Sequence, residues 1–214
     1  LALINGTHMM TSIAALAHVD IATICESAVI ATAMSIDAAK ATNSFLDDRL
    51  HEARGQSGQR SVAKKISEHL KGSTIIESHI QGDPRVQDPY SFRCSPQVLG
   101  AAIESIARIT GTISAELGAV TDNPLLFIEE DDVISGGNFH GEALALAMDY
   151  LAMGVAEICN ISERRVEKMM NPTFSELPAF LTGKSGLNSG LMIAHVTSAA
   201  LVSENKYLCH PASV

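Results

Sequence analysis

The 214 residues predict an all-α fold, a bundle of long helices carrying at most a small β-hairpin. Residues 8–36, 141–170 and 190–208 are apolar almost all round over lengths that suit helices surrounded by other helices or buried at a subunit interface. Hydrophobic residues make up 46% of the chain but aromatic ones only 4%, so packing has to come from Ala, Ile, Leu, Val and Met, as in closely packed helices. Strand-like runs are short and confined to Leu125 through Ile128 and Val133-Ile134.

Taken in order, Asn5-Gly6-Thr7 stands before a helix drawn from His8, where Asn5 would serve as a helix N-cap. The stretch 8–36 is long enough to raise a membrane span, but Asp20 and Glu26 would each cost about 2–3 kcal/mol inside one. No Lys or Arg flanks that stretch before Lys40, which also argues against a span. Gly55-Gln56-Ser57-Gly58 and Ser73 read as turns. Residues 87–95 read as irregular backbone, because Pro89 pushes Asp88 away from helical geometry. Ser95-Pro96 then reads as an N-cap and a first-turn proline.

The helix that follows, 96–117, places Ile103, Ile106, Thr110, Ile113 and Leu117 at three- and four-residue steps and stops at Gly118. An acidic turn from Glu129 to Asp132 would join the two strand candidates in a hairpin. Residues 141–170 then run to Asn171-Pro172, about 45 Å of helix at 1.5 Å per residue. With no linker, internal repeat or low-complexity tract, the expectation is a single domain over 1–214.

Fifteen basic against 24 acidic side chains give a formal charge of −9, which disfavours nucleic acid or an anionic membrane as a partner. The four cysteines, Cys25, Cys94, Cys159 and Cys209, form no Cys-x-x-Cys pair and suggest no disulfide framework, so mostly buried free thiols are expected. The histidines lack metal-ligand spacing, so no metal is expected. Without a recognisable signal sequence, a soluble cytoplasmic protein is the expectation.

Chemistry concentrates in Val-Gln-Asp-Pro-Tyr-Ser-Phe-Arg-Cys-Ser-Pro, residues 86–96. On a proline-constrained loop, Gln87, Tyr90 and Arg93 can point into a common space, and the planar fork of Arg93 suits an amino-acid carboxylate. A buried ion-pair loop is the alternative.

Leu3-Ile4-Asn5-Gly6-Thr7, Gln87 through Gly100, Thr121-Asp122-Asn123-Pro124, Gly136-Gly137-Asn138-Phe139-His140-Gly141, Ser162-Glu163-Arg164-Arg165, Gly186-Leu187-Asn188-Ser189-Gly190, Val202-Ser203-Glu204-Asn205-Lys206 and His210-Pro211-Ala212-Ser213-Val214 follow one another along the chain. Together they resemble the histidine ammonia-lyases of the aromatic amino acid lyase family. The resemblance implies a long-helix bundle of the aspartase/histidase type and elimination of ammonia from L-histidine to give trans-urocanate. It also implies a small-molecule amino-acid substrate and a homotetramer whose active sites draw on several subunits. The cofactor it implies is a methylidene-imidazolone (MIO) electrophile formed autocatalytically from an internal Ala-Ser-Gly. No Ala-Ser-Gly occurs in these 214 residues, so the chain reads as an internal fragment that is inactive alone.

Carried over residue by residue, the resemblance makes Asn5, Tyr90 and Phe139 catalytic. Asn5 would hydrogen-bond the prosthetic group near the substrate amine, Tyr90 would place a phenol beside that amine, and Phe139 would shield the group from water. Arg93 would bind the substrate carboxylate, Gln87 would make polar contact with the active centre, and Asn5 would count among the substrate-binding residues as well. Read without the resemblance, Phe139 is an ordinary core residue. Glu163, Arg164 and Arg165 read as a structural ion-pair network, and His140 and Glu142 receive no role. Phenylalanine or tyrosine ammonia-lyases and aminomutases share the scaffold and remain an alternative, as does a non-catalytic helical assembly module. The aspartase and fumarase type of lyase is a weaker reading, because its Gly-Ser-Ser-x-Met-Pro loop is missing.

Overall fold

A computed structural model of the chain describes residues 4–83 and 85–214, so Leu3 of the Leu-Ile-Asn-Gly-Thr segment lies outside the described residues. The elements in chain order are α1 (His8–Ala38), α2 (Asp48–Arg54), α3 (Ser57–His69), α4 (Thr74–Glu77), α5 (Tyr90–Arg93), α6 (Ser95–Leu117), β1 (Leu125–Phe127), β2 (Asp132–Ile134), α7 (Glu142–Met170), α8 (Pro172–Ser175) and α9 (Met192–Leu208). Short 3-10 turns add Ser44–Leu46 and Ala179–Leu181. The two strands pair antiparallel with Leu126 opposite Val133.

The bundle is built on α1, α6 and α7. Gly141, just before α7, abuts Met10 and Thr7, so α1 and α7 start at the same end. Thr7 donates from Oγ1 to Glu116 near the far end of α6, at 2.5 Å, so α6 runs the opposite way. α9 returns antiparallel along α7. His195 near its start faces Glu163 at 3.4 Å, and the backbone amides of Ala212 and Ser213 beyond its end donate to Asp149 at 3.0 and 2.9 Å.

One face of each central helix makes a single core. α6 buries Leu99, Ala102, Ile106, Ile109 and Ile113 at alternating three- and four-residue steps, α1 contributes Ala14, Ile21, Val29, Ala33 and Ile36, and α7 contributes Leu144, Leu151, Ile158 and Ile161. Each fully buried Ile or Leu stabilises the fold by about 1.5–3 kcal/mol. Small residues let the axes approach. A Cβ added at Gly100 on α6 would overlap the backbone of Gly58 and Gln59 on α3, and one at Gly154 on α7 would press on Ile106. The corner before α3 is fixed by buried His51, whose Nε2 bonds the Phe45 carbonyl at 3.0 Å and whose Nδ1 bonds Gln59 Nε2 at 2.8 Å.

The long helices and the hairpin match the periodicity, but several local expectations need correction. Residues 87–95 are not wholly irregular, because 90–93 form the helical turn α5, followed at once by α6. Ser95 is the first helical residue and not a cap: its hydroxyl donates back to the Ser91 carbonyl at 2.9 Å, a bond available once the preceding turn is helical. Asn5 does not cap α1 either. Thr7 occupies the N-cap position, with no side-chain capping bond. Ser57 and Gly58 open α3, and only Gly55 forms the left-handed stop of α2. Of the cysteines, only Cys25 is buried, and the other three are half-buried.

By length and composition α1 and α7 could each cross a membrane. Yet α1 carries Glu26 in an ion pair with Lys65 of α3 at 3.3 Å, and α7 buries the charged Glu163 and Arg165 against protein. α1 nonetheless leaves Met9, Ile13, Leu16, Val19 and Met34 exposed, and α9 buries only Val202 while exposing Ile193, Val196, Leu201 and Leu208.

Candidate functional site

The segment carrying Gln87, Tyr90 and Arg93 is anchored from beneath. Asp88 is buried, and its carboxylate accepts from the backbone N–H and hydroxyl of Thr42, both at 2.8 Å, tying the loop to the chain just past α1. Arg85 reinforces the tie. Its guanidinium pairs with Asp83 at 2.9 Å and approaches Asp88 at 3.6 Å, while reaching the carbonyls of Ala39 and Lys40. Hydrogen bonding from the Arg85 side chain, then its backbone amide, holds the Asp83 carboxyl down to about 2.

On this base the expected site side chains face outward. The Arg93 guanidinium lies 4.3 Å from the centroid of the Tyr90 ring, a cation–π stack that fixes the two relative to each other. Arg93 uses Nε on the Asp88 carbonyl at 3.0 Å, which leaves its two Nη groups for an end-on carboxylate. Tyr90 is 71% exposed, and Gln87 is exposed beside it.

Asn5 sits elsewhere. Its Nδ2 donates to Asp122 Oδ1 at 2.6 Å, and the same oxygen accepts the Asn123 amide at 2.7 Å. These two hydrogen bonds, the backbone one first, hold the Asp122 carboxyl below its usual range. Gly6, at φ +123°, allows the chain to pass so close to Thr121 that any side chain there would clash. Asn123 Oδ1 in turn accepts from Ser135 at 3.0 Å and from the Gly136 amide at 2.7 Å, which draws in the loop leading to Phe139. The Phe139 ring is 42% exposed, so it is not a core residue in this chain.

The expected site residues therefore fall into two groups. Gln87, Tyr90 and Arg93 precede the start of α6, whereas Asn5, Asp122 and the Phe139 loop gather at its other end. The 23 residues of α6 put roughly 35 Å between the groups. A cavity of about 120 Å³ under the loop is lined by Arg85, Asp88, Phe92 and Lys168, and a groove of about 640 Å³ runs between α1, α7 and α9. Neither is lined by an expected site residue. Among the described residues, no cluster of His, Cys, Asp and Glu is arranged to hold a metal ion.

The sequence profile of the aromatic amino acid lyases matches residues 1–214 from end to end. The chain belongs to that family. It is 50% identical over all 214 residues to a histidine ammonia-lyase of Alkaliphilus oremlandii, of which it spans 42%. Among solved structures, histidine ammonia-lyase from Trypanosoma cruzi superposes with a TM-score of 0.88 at 49% identity, over 99% of this chain and 39% of that one. Pantoea agglomerans phenylalanine aminomutase superposes with the same TM-score of 0.88 at 29% identity, over 99% and 44%. The chain thus spans less than half the length of these relatives.

Within this member of the lyase family, sequence reasoning missed two supports of the expected site, Asp88 and Asp122. Both stood in quoted motifs, but their partners Thr42 and Asn5 lie 46 and 117 positions away, so no local spacing marks the pairs. The expected network at 163–165 is only partly formed. Glu163, 4% exposed, pairs with Arg164 at 2.5 Å and with His195 at 3.4 Å. Arg165 points the other way, toward α5 and α6.

Proposed function

We propose that the intact protein is a histidine ammonia-lyase, which eliminates ammonia from L-histidine to leave trans-urocanate. The observation that carries this reading is the contrast between fold and sequence. The histidine enzyme and the aminomutase superpose equally well, yet identity is 49–50% with the histidine enzymes and 29% with the phenylalanine aminomutase. The phenylalanine or tyrosine lyase and aminomutase readings share the fold and lack that sequence support.

The residues present suit an MIO group supplied by a part of the protein outside these 214 residues. Asn5, bound to Asp122 through one amide hydrogen, retains its carbonyl oxygen and its second N–H for a polar heterocycle. Phe139 offers a partly exposed ring to cover an apolar face. When formed, the group supplies an electrophile that turns the substrate amine into a better leaving group. Arg93 receives the substrate carboxylate on its free Nη pair. Tyr90, stacked on Arg93, holds its hydroxyl within reach of the same substrate, and Gln87 adds an amide at the edge.

Because the two groups of residues stand about 35 Å apart along α6, one copy cannot bring them to a single substrate. We propose that each site forms where the Arg93 end of one copy meets the Asn5 end of another, within a homo-oligomer. A non-catalytic assembly module would use the same exposed helices without this chemistry.

The test is to incubate the full-length protein separately with L-histidine, L-phenylalanine and L-tyrosine and follow the unsaturated acids by absorbance. Urocanate from histidine alone is expected. Product from the aromatic substrates alone would move the assignment to the other lyases, and no product from any would favour the assembly module. The 214 residues by themselves are expected to form no urocanate.

A further inference from the structure

We propose that Arg165 of α7 is a positioning residue that braces the α5 turn and so holds Arg93 where it meets the substrate carboxylate; this rests on the assignment of Arg93 above. The turn Tyr90–Arg93 is a four-residue helix with no side-chain cap, too short to hold its shape by its own hydrogen bonds. Arg165 is 2% exposed, and its Nη1 reaches the Ser91 carbonyl at 3.5 Å and the Ser95 hydroxyl at 3.4 Å. Ser95 itself donates to the same Ser91 carbonyl at 2.9 Å, so one carbonyl inside the turn gathers both bonds.

No carboxylate among the described residues pairs with this guanidinium, although Glu163 and Glu167 are near in sequence and take Arg164 and Lys168. Burial pulls the Arg165 pKa down to about 10. A buried charge answered, among the described residues, by a carbonyl and a hydroxyl alone costs stability that an apolar side chain would not. Its evident return is a fixed donor under the backbone between Tyr90 and Arg93. Asp88 anchors the front of the segment through Thr42, and Arg165 anchors its middle and back.

The experiment uses the full-length protein and compares wild type with Arg165→Met, Arg165→Lys, Ser95→Ala and Arg93→Ala. It reads KM and kcat for L-histidine and competitive inhibition by histamine, which keeps ring and amine and lacks the carboxylate. Arg165→Met is expected to raise KM for histidine by about tenfold or more, since a displacement of about 1 Å at a binding group suffices for such losses. Histamine inhibition should weaken by less, because histamine lacks the carboxylate and senses the turn only through its amine beside Tyr90. Arg165→Lys should recover part of the loss, and Ser95→Ala should shift KM the same way by less. An unchanged KM in folded Arg165→Met, with only a lower Tm, would make Arg165 a plain structural residue and overturn the proposal. Should Arg165→Met not fold, an unchanged KM in Ser95→Ala does the same. An unchanged KM in Arg93→Ala would instead overturn the carboxylate assignment, a separate failure.

Discussion

Asn5 and Asp122 form the most specific pair at the residue scale. A carboxylate only accepts, so its bond to Nδ2 decides which way round the Asn5 amide stands and aims the carbonyl oxygen the other way. Asp122→Ala in the full-length protein would free that amide to rotate, and on the proposed function we expect kcat to fall by about tenfold to a hundredfold. Asp122→Asn, which can still accept from Nδ2 in one orientation, should lose less. Steady-state kinetics with L-histidine check both, and equal losses in the two variants would remove the orienting role. At this scale the sequence told which residues carry polar chemistry but not what holds them. Asn5 read naturally as a helix cap, and its true partner is brought up only by the antiparallel packing of α1 and α6.

At the scale of elements, α6 was legible because burial on one face imposes a three- and four-residue rhythm that survives in the sequence, and α1, α7 and α9 because their stretches are apolar almost all round over helical lengths. The region between α1 and α6 was not, because α2, α4 and α5 are single turns or little more, held by contacts from elsewhere. Asp88 with Thr42 is one such contact, and His51 with Gln59 another. The seam between α3 and α6 is set by Gly58 and Gly100, whose backbones nearly touch. Gly100→Ala should force the helices apart and cost about 1–3 kcal/mol or more, measured as a lowered Tm. The loop before α5 should respond to acid. Asp83 has its pKa lowered to about 2, so its bond to Arg85 contributes in full above the ordinary aspartate value of about 4 and is lost as pH falls from there toward 2. Amide protection at Arg85 through Asp88, relative to the intrinsic exchange rate at each pH, should drop over that window while α6 stays protected.

For the whole molecule, the apolar residues along α1 and α9 decide behaviour in solution. Met9, Ile13, Leu16, Val19 and Met34 on one helix and Ile193, Val196, Leu201 and Leu208 on the other are too many for scattered surface residues. The chain should therefore associate, and light scattering at micromolar concentration is expected to report a mass above that of the monomer. A clean monomer would leave those faces without an explanation. The all-round apolarity of these stretches was plain in the sequence. Whether neighbouring helices of the same copy covered them was not, since that depends on where α9 lies.

The placement of Arg93 and Asn5 at opposite ends of α6 also bears on inheritance. On the proposed sharing of each site between copies, a cell carrying two defective alleles, one altered at Arg93 and the other at Asn5, would build mixed assemblies in which some sites receive an intact residue from each parent. Two alleles that each fail alone would then restore part of the activity together, whereas two alleles altered at the same end would not.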